Sequence, residues 1–191
     1  NQGQDFKRDT VTAIAVDSND PDLIYVGTEN TGIFRSLDGG DSWQPMQNGI
    51  DEIEYVHSIM IDPEVSNTIY VGLGNGEIFR STNSGVSWEV YFSGNWIYID
   101  PLNTSHRFIT GDQFAESMDS GNSWNISEEF CVPTFSIQKI VFDPSDSNIM
   151  YLLTYFDTQN DSYESGVYKS TDAGKTCDLI TAEYHSPNNL F

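Results

Sequence analysis

Ser36-Leu37-Asp38-Gly39-Gly40-Asp41-Ser42-Trp43 is an octapeptide that returns three more times along the chain. The second copy is Ser81-Thr82-Asn83-Ser84-Gly85-Val86-Ser87-Trp88 and the third is Ser117-Met118-Asp119-Ser120-Gly121-Asn122-Ser123-Trp124. The fourth is Ser170-Thr171-Asp172-Ala173-Gly174-Lys175-Thr176-Cys177. The shared pattern is Ser-x-Asp-x-Gly-x-Ser/Thr-Trp, with Asn83 replacing the acid in copy two and Cys177 replacing the indole in copy four. Internal repetition decides a fold before any single residue does. Asp and Ser side chains accept bonds from nearby backbone amides and fix a turn, and Asn does part of the same work. Gly40, Gly85, Gly121 and Gly174 supply positive φ without steric cost. The Trp then opens a strand and offers a large apolar face for packing. Asp38, Trp43, Asn83, Trp88, Asp119, Trp124 and Asp172 are therefore expected to be structural residues of a hairpin turn.

The repetition extends upstream of each octapeptide. Short apolar runs close on Asp17, Asp62, Asp100 and Asp143, at intervals of 45, 38 and 43 residues. A second run follows each: Leu23–Gly27, Thr68–Gly72, Arg107–Gly111 and Ile149–Leu153. A third, such as Gly32-Ile33-Phe34-Arg35 or Gly166-Val167-Tyr168-Lys169, leads into the octapeptide, and a fourth begins at its last residue. Each unit thus reads as four short strands separated by turn residues. Four-stranded units of about 40 to 50 residues are propeller blades. The expected fold is all-β, a β-propeller of four-stranded antiparallel blades, with blades near 10–48, 54–92, 95–127 and 135–182 forming one domain or part of one.

Composition narrows the functional classes. Among 191 residues, 29 are acidic and 8 basic, for a formal net charge of −21. Such a surface repels phosphate backbones and anionic lipid, so nucleic acid is not an expected partner. No apolar run is long enough to span a membrane as a helix. The chain opens at Asn1 without Met or an apolar leader, which reads as processed or cut from something longer. Two cysteines, Cys131 and Cys177, make no framework. Replacing the fourth Trp by Cys177 leaves three readings for that blade: loosened, repacked, or bridged to Cys131 in an oxidising compartment. His57, His106 and His185 fall in different repeats without ligand spacing, so no metal centre and no cofactor is expected. The acidic run Asp17–Asp22 is the only candidate for a weak calcium site, and a solvated turn between strands one and two is the preferred reading of it.

The octapeptides resemble the Asp-box, or bacterial neuraminidase repeat, family. The longer Asp-Pro…Ile-Tyr-Val-Gly…Gly-Ile-Phe-Arg-Ser-x-Asp-x-Gly-x-Ser-Trp pattern is most similar to the sortilin-type, xyloglucanase-type and photosystem II assembly-factor-type propellers. The resemblance covers residues from about Thr10 to Thr181 and speaks to fold more than to function. Members usually carry six to ten blades, so four blades are expected to be part of a larger propeller, completed by the same or a second chain, the alternative being a closed four-bladed ring. Sialidases of this architecture surround a carboxylate with three arginines. Arg35 and Arg80 instead occupy one repeat position, which argues against that chemistry. In the xyloglucanase type a pair of acids flanks the scissile bond. There Glu29, in Thr28-Glu29-Asn30-Thr31-Gly32, stands where that family carries an Asp, so it is the one candidate catalytic residue.

The resemblance also implies where ligands bind: the end formed by the strand two-to-three loops and the inter-blade links, opposite the octapeptide hairpins. That selects Glu29, Asn30, Asp51, Glu52, Asn75, Trp96, Asp112 and Asp157, with Tyr55 and Asn95 in the same links. The ten residues Phe156–Ser165 read as the longest loop at that end. The expected function is a non-enzymatic, secreted or extracytoplasmic binding or scaffold module that recognises a protein or a polysaccharide. The alternative is a glycoside hydrolase of the xyloglucanase type acting on a β-glucan.

Overall fold

The computed structural model describes residues 8–50, 55–111, 114–127, 130–132, 137–158 and 162–185; at 127, 156–158, 162–165 and 182–185 it describes the backbone alone. Among the described residues sixteen strands form four four-stranded antiparallel sheets, each built from consecutive strands. No α-helix occurs among the described residues. Blade one is β1 (Val11–Val16), β2 (Ile24–Thr28), β3 (Ile33–Ser36) and β4 (Gln44–Pro45). Blade two is β5 (Val56–Ile61), β6 (Ile69–Leu73), β7 (Glu77–Ser81) and β8 (Glu89–Ser93). Blade three is β9 (Trp96–Ile99), β10 (Arg107–Thr110), β11 (Phe114–Ser117) and β12 (Asn125–Ser127). Blade four is β13 (Ile137–Phe142), β14 (Met150–Thr158), β15 (Ser162–Ser170) and β16 (Asp178–His185). The residues group into two compact units, Asn1–Ile97 and Tyr98–Phe191.

In the first unit the core is mainly aliphatic, built on Leu23, Ile33, Val56, Ile59, Ile61, Ile69 and Val71 together with Tyr25, Phe79 and Trp88. The pairing Ala13↔Gly27↔Ile33 and Ala15↔Tyr25 puts these residues on one face of blade one. That face covers blade two. A Cβ on Gly27 would fall against Val56 and Ile59, so a side chain there would force the two sheets apart. Two polar ties fix the same contact: Thr12 Oγ1 donates to the Val56 carbonyl at 2.7 Å, and Arg35 Nη1 donates to the Ser84 carbonyl at 2.8 Å. The second unit buries Ile109, Ile137, Ile140, Met150 and Leu152 and adds a cluster of aromatic rings. Phe108 lies 5.9 Å from Phe142 between ring centroids and 5.8 Å from Phe114, which lies 4.2 Å from Phe130.

The aspartates that close each first strand turn the chain. The Asp17 carboxylate accepts the amides of Asn19 and Asp20 at 2.7 and 3.0 Å, and Asp100 accepts those of Leu102 and Asn103 at 2.9 and 3.3 Å. Asp62 and Asp143 each accept the amide two residues on, at 3.1 and 2.8 Å. These are Asx turns, which relieve amides that the strands leave behind.

Two sequence expectations are corrected here. The stretch Phe156–Ser165 is not a loop: β14 runs to Thr158 and β15 starts at Ser162, with Phe156↔Glu164 and Asp157↔Tyr163 paired. Asp157 therefore belongs to a strand. Alternation of Tyr, Phe, Asp and Thr suits an extended hairpin, and the polar residues concealed it. In blade three the second strand is offset by one residue from the sequence alignment. Arg107 pairs with Ser117 as Ile24 pairs with Ser36, so Thr110, not Gly111, occupies the position of Gly27.

Candidate functional site

Every sheet has two dissimilar ends. At one end the octapeptide joins the third strand to the fourth. Ser36, fully buried, is its hub: its Oγ accepts the amides of Asp38 and Gly40 at 3.2 and 2.9 Å and donates to Asp38 Oδ1 at 2.7 Å. Asp38 in turn accepts the amide and hydroxyl of Ser42 at 2.8 and 2.5 Å. The pattern repeats through Ser117 and Asp119 and through Ser170 and Asp172. In blade two Asn83 Oδ1 accepts the Ser87 amide at 2.9 Å, and its Nδ2 donates to Ser87 Oγ at 2.8 Å. Bonds to the Ser42, Ser123 and Thr176 hydroxyls, followed by the amides of the same residues, hold Asp38, Asp119 and Asp172 at about 2. These carboxylates are occupied as acceptors within their own turns.

Two consecutive residues of this turn are left-handed. The glycine was legible, but the residue before it is Ser84, Ser120 or Ala173 at φ near 60° in three copies, and Gly39 in the first. The indoles differ as well. Trp88 is buried, whereas Trp43 and Trp124 are half-buried, and Trp43 Nε1 donates to the Gly40 carbonyl of its own hairpin at 2.9 Å.

The opposite end carries the strand two-to-three turns. In blade one Glu29 and Asn30 are exposed on such a turn. Asp9 clamps it, accepting the Asn30 amide at 2.9 Å and its side-chain amide at 3.0 Å, while the Glu29 amide donates to the Thr10 carbonyl at 2.9 Å. The Asn30 side-chain bond holds the Asp9 carboxyl well below the usual carboxylate range. Sequence reading missed Asp9, which is remote in sequence from the turn it holds.

In blade two the corresponding turn is Gly74-Asn75-Gly76. Asn75 Oδ1 accepts the Glu77 amide at 3.0 Å, and its Nδ2 donates to Glu77 Oε2 at 3.0 Å. Beside this turn three rings run in a row. Tyr55 and His57 are 4.8 Å apart between centroids, and His57 and Trp96 are 5.1 Å apart, each pair tilted by about half a right angle. Tyr55 is exposed; His57 and Trp96 are half-buried. Burial pushes the His57 imidazole below its ordinary value, which favours the neutral ring.

The row is held from beneath. Ser58 Oγ donates to the Asn95 carbonyl at 2.8 Å, and Asn95 Nδ2 donates to the Leu73 carbonyl at 3.3 Å. The Asn95 carbonyl sits over Gly72, where a Cβ would collide with it. Trp96 therefore leaves a fixed point. Of the expected ligand-facing residues, Asn75 and Trp96 are gathered at this end of blade two, and Glu29 and Asn30 at that end of blade one. Asp51, Glu52 and Asp112 lie outside the described residues, as does the Asp157 side chain. In the sequence His57 stands out only as a histidine without metal-ligand spacing; the signal for its place in the row is the two-residue spacing from Tyr55.

A second polar cluster lies within blade three. His106 is buried, with Nε2 2.8 Å from Glu116 Oε1 and Nδ1 3.8 Å from Asp100 Oδ2. The bond to His106 holds the Glu116 carboxyl below its ordinary value. Glu116 occupies the repeat position of Arg35, Arg80 and Lys169. Phe108 packs on the imidazole with ring centroids 4.3 Å apart, while the Glu116 side chain is partly exposed. Among the described residues no three His, Cys, Asp or Glu side chains are grouped to hold a metal ion.

No family model matches the sequence, and no curated protein does. Solved structures do. An ancestral GH74 enzyme superposes with a TM-score of 0.69 at 24% identity, over 91% of this chain and 24% of that one. The four sheets are the blades of a β-propeller. An auxiliary nutrient binding protein from Bacteroides thetaiotaomicron gives a TM-score of 0.63 at 14% identity, over 90% of this chain and 42% of that one. YCF48 bound to D1 peptide gives 0.54 at 11% identity, over 91% and 82%. The propeller seen here spans about a quarter of the length of the GH74 enzyme. Enzymes and binding proteins share the architecture, so the likeness establishes the fold of this chain and no activity.

Proposed function

We propose that this chain is a non-enzymatic binding or scaffold propeller that engages a protein or polysaccharide partner through the strand two-to-three turns and inter-blade links. The observation that carries the reading is the row Tyr55–His57–Trp96, anchored by Ser58, Asn95 and Gly72 beside the Asn75 turn. Pre-ordered rings give contact area at little entropic cost, and the adjoining Asn75 and Glu77 supply polar orientation. At the octapeptide end the Asp38, Asp119 and Asp172 carboxylates are committed to their turns, which supports assigning recognition to the other end. The nutrient binding protein and the peptide-bound YCF48 are precedents for binding on this architecture. The bridge between Cys131 and Cys177 supports a secreted or extracytoplasmic setting. The proposed activity requires no cofactor.

The test is a binding panel of soluble polysaccharides and peptides read by tryptophan fluorescence and calorimetry. Trp96→Ala should weaken a genuine ligand at least tenfold, since ring anchors at binding sites are commonly worth more than about 1.4 kcal/mol. Binding that survives both Trp96→Ala and Tyr55→Ala would remove this row from the function. The GH74 likeness and the segment Thr28–Arg35 support a second reading, glycoside hydrolysis with Glu29 as acid or base. Release of reducing ends that vanishes in Glu29→Gln would establish it in place of the first.

A further inference from the structure

The three rings beside the Asn75 turn form steps. Tyr55 and His57 are inclined to each other by 52°, and His57 and Trp96 by 51°. Such a row offers no common plane for a chain of flat sugar rings. A cation needs only one face: a guanidinium or ammonium within about 6 Å of a ring centre is drawn by the ring quadrupole, most strongly by Trp. Burial disfavours a repelling charge on the imidazole between Tyr55 and Trp96. The charges of this part of the chain are mostly of one sign. From Asp51 to Ile97 the sequence holds seven carboxylates and one arginine, and Asp51, Glu52 and Glu54 directly precede Tyr55. The turn itself fixes a further acid next to the row. Glu77 Oε2 accepts Asn75 Nδ2 at 3.0 Å, and the Gly74 amide of the same turn donates to the Tyr55 carbonyl at 2.8 Å. Blade two already holds its one arginine between a ring and a carboxylate: Arg80 Nη2 is 2.6 Å from Glu89 Oε1, with its guanidinium 4.7 Å from the centre of the Tyr91 ring.

Resting on the binding reading above, we propose that the Tyr55–His57–Trp96 row takes an arginine side chain from a basic segment of a partner protein, with the guanidinium set against the rings and Glu77 as its counter-charge. Arginine suits the site better than lysine. Its planar guanidinium stacks on a ring, meets a carboxylate through two parallel donors, and is more weakly hydrated than an ammonium. The net charge of −21 draws such a segment towards the chain and makes its capture sensitive to salt. A neutral polysaccharide gains nothing from these charges, and an acidic one is repelled.

The experiment titrates the full chain by calorimetry at low salt with a peptide of alternating glycine and arginine. The same peptide with glutamine for arginine and a soluble β-glucan are run beside it. The arginine peptide should bind, and more weakly as salt is added; the glutamine peptide should not. Trp96→Ala should weaken the arginine peptide at least about tenfold, as a ring anchor does, and Glu77→Gln should weaken it a few-fold. Tyr55 is 42% exposed, so Tyr55→Ala should also weaken binding while leaving the melting temperature near that of the parent chain. Equal affinity for the two peptides would overturn the inference. So would arginine binding that is unchanged in both Trp96→Ala and Tyr55→Ala, since the attraction would then belong to the overall charge. A β-glucan that binds through Trp96 where the arginine peptide does not would overturn it as well, yet keep the row as a binding site. Only ligands that all ignore Trp96 and Tyr55, across the wider panel of polysaccharides and peptides, would remove the row from the function altogether.

Discussion

Blades two and four end their octapeptides differently and solve the same problem. In blade two Trp88 is buried in the core, its Nε1 donates to the Met46 carbonyl at 2.8 Å, and its amide donates to the Asn48 carbonyl at 3.0 Å. Met46 and Asn48 belong to the link that leads into blade two. In blade four Cys177 takes the place of the indole and is bonded to Cys131, in the link that leads into blade four, with Cα atoms 5.3 Å apart. Nearby, the Phe130 ring closes over Gly174, where a Cβ would collide with it. The last octapeptide position therefore anchors the incoming link to the hairpin. Burial with two hydrogen bonds does so in one blade and a covalent bond in the other. In blade one Trp43 is half-buried and its Nε1 donates to a carbonyl of its own hairpin.

The comparison can be broken most directly at Trp88. Trp88→Ala should cost about 3–5 kcal/mol, the usual range for a large buried aromatic, measured by urea unfolding. An equally large loss for Trp43→Ala would mean that the anchoring role is not special to the buried indole. The covalent anchor comes next. The bridge closes a separation of 46 residues, and its loss, by reduction or by Cys131→Ser with Cys177→Ser, should cost about 2–4 kcal/mol. Reduction should leave the Trp88→Ala increment unchanged, since the two anchors serve different blades.

Acid sharpens the contrast. Asp172 is held at about 2 in the folded chain, below its ordinary value of roughly 3.9. A depressed carboxyl contributes stability that is fully present above the ordinary value and is lost as pH falls through the folded one. Asn83, its counterpart in blade two, does not titrate. Asp172→Asn should therefore flatten the fall in melting temperature between pH 5 and 2, and Asn83→Asp should steepen it. The smallest expected effect is at the left-handed position. Ala173→Gly should stabilise blade four by up to about 1 kcal/mol, because a Cβ is disfavoured at φ near 58°. The same change at Ser84 and Ser120 should act alike, and blade one already has Gly39 there.

Much of the fold was legible because the repeat writes the same turn four times. Strand order, the octapeptide hairpins and the closing aspartates follow from local hydrogen bonding, which a short motif specifies. The hairpin of β14 and β15 was not legible, because its pairing depends on a partner strand rather than on polarity. The site was legible only in part. Asn75 and Trp96 sit where the loops place them, but His57 joins them through ring packing, and Asp9 reaches Asn30 across the sheet end.

The sequence by itself determined the blade: an octapeptide whose Ser, Asp and Gly satisfy one another's backbone groups forms the same turn wherever it occurs. Tertiary structure alone decided which copies anchor a link, that Cys177 reaches Cys131, and that Val56, Ile59 and Ile61 on β5 are buried while Val11, Ile14 and Val16 on β1 are exposed. The reason is physical. Turn chemistry is settled within a few residues, whereas burial depends on which surface another part of the chain brings against it.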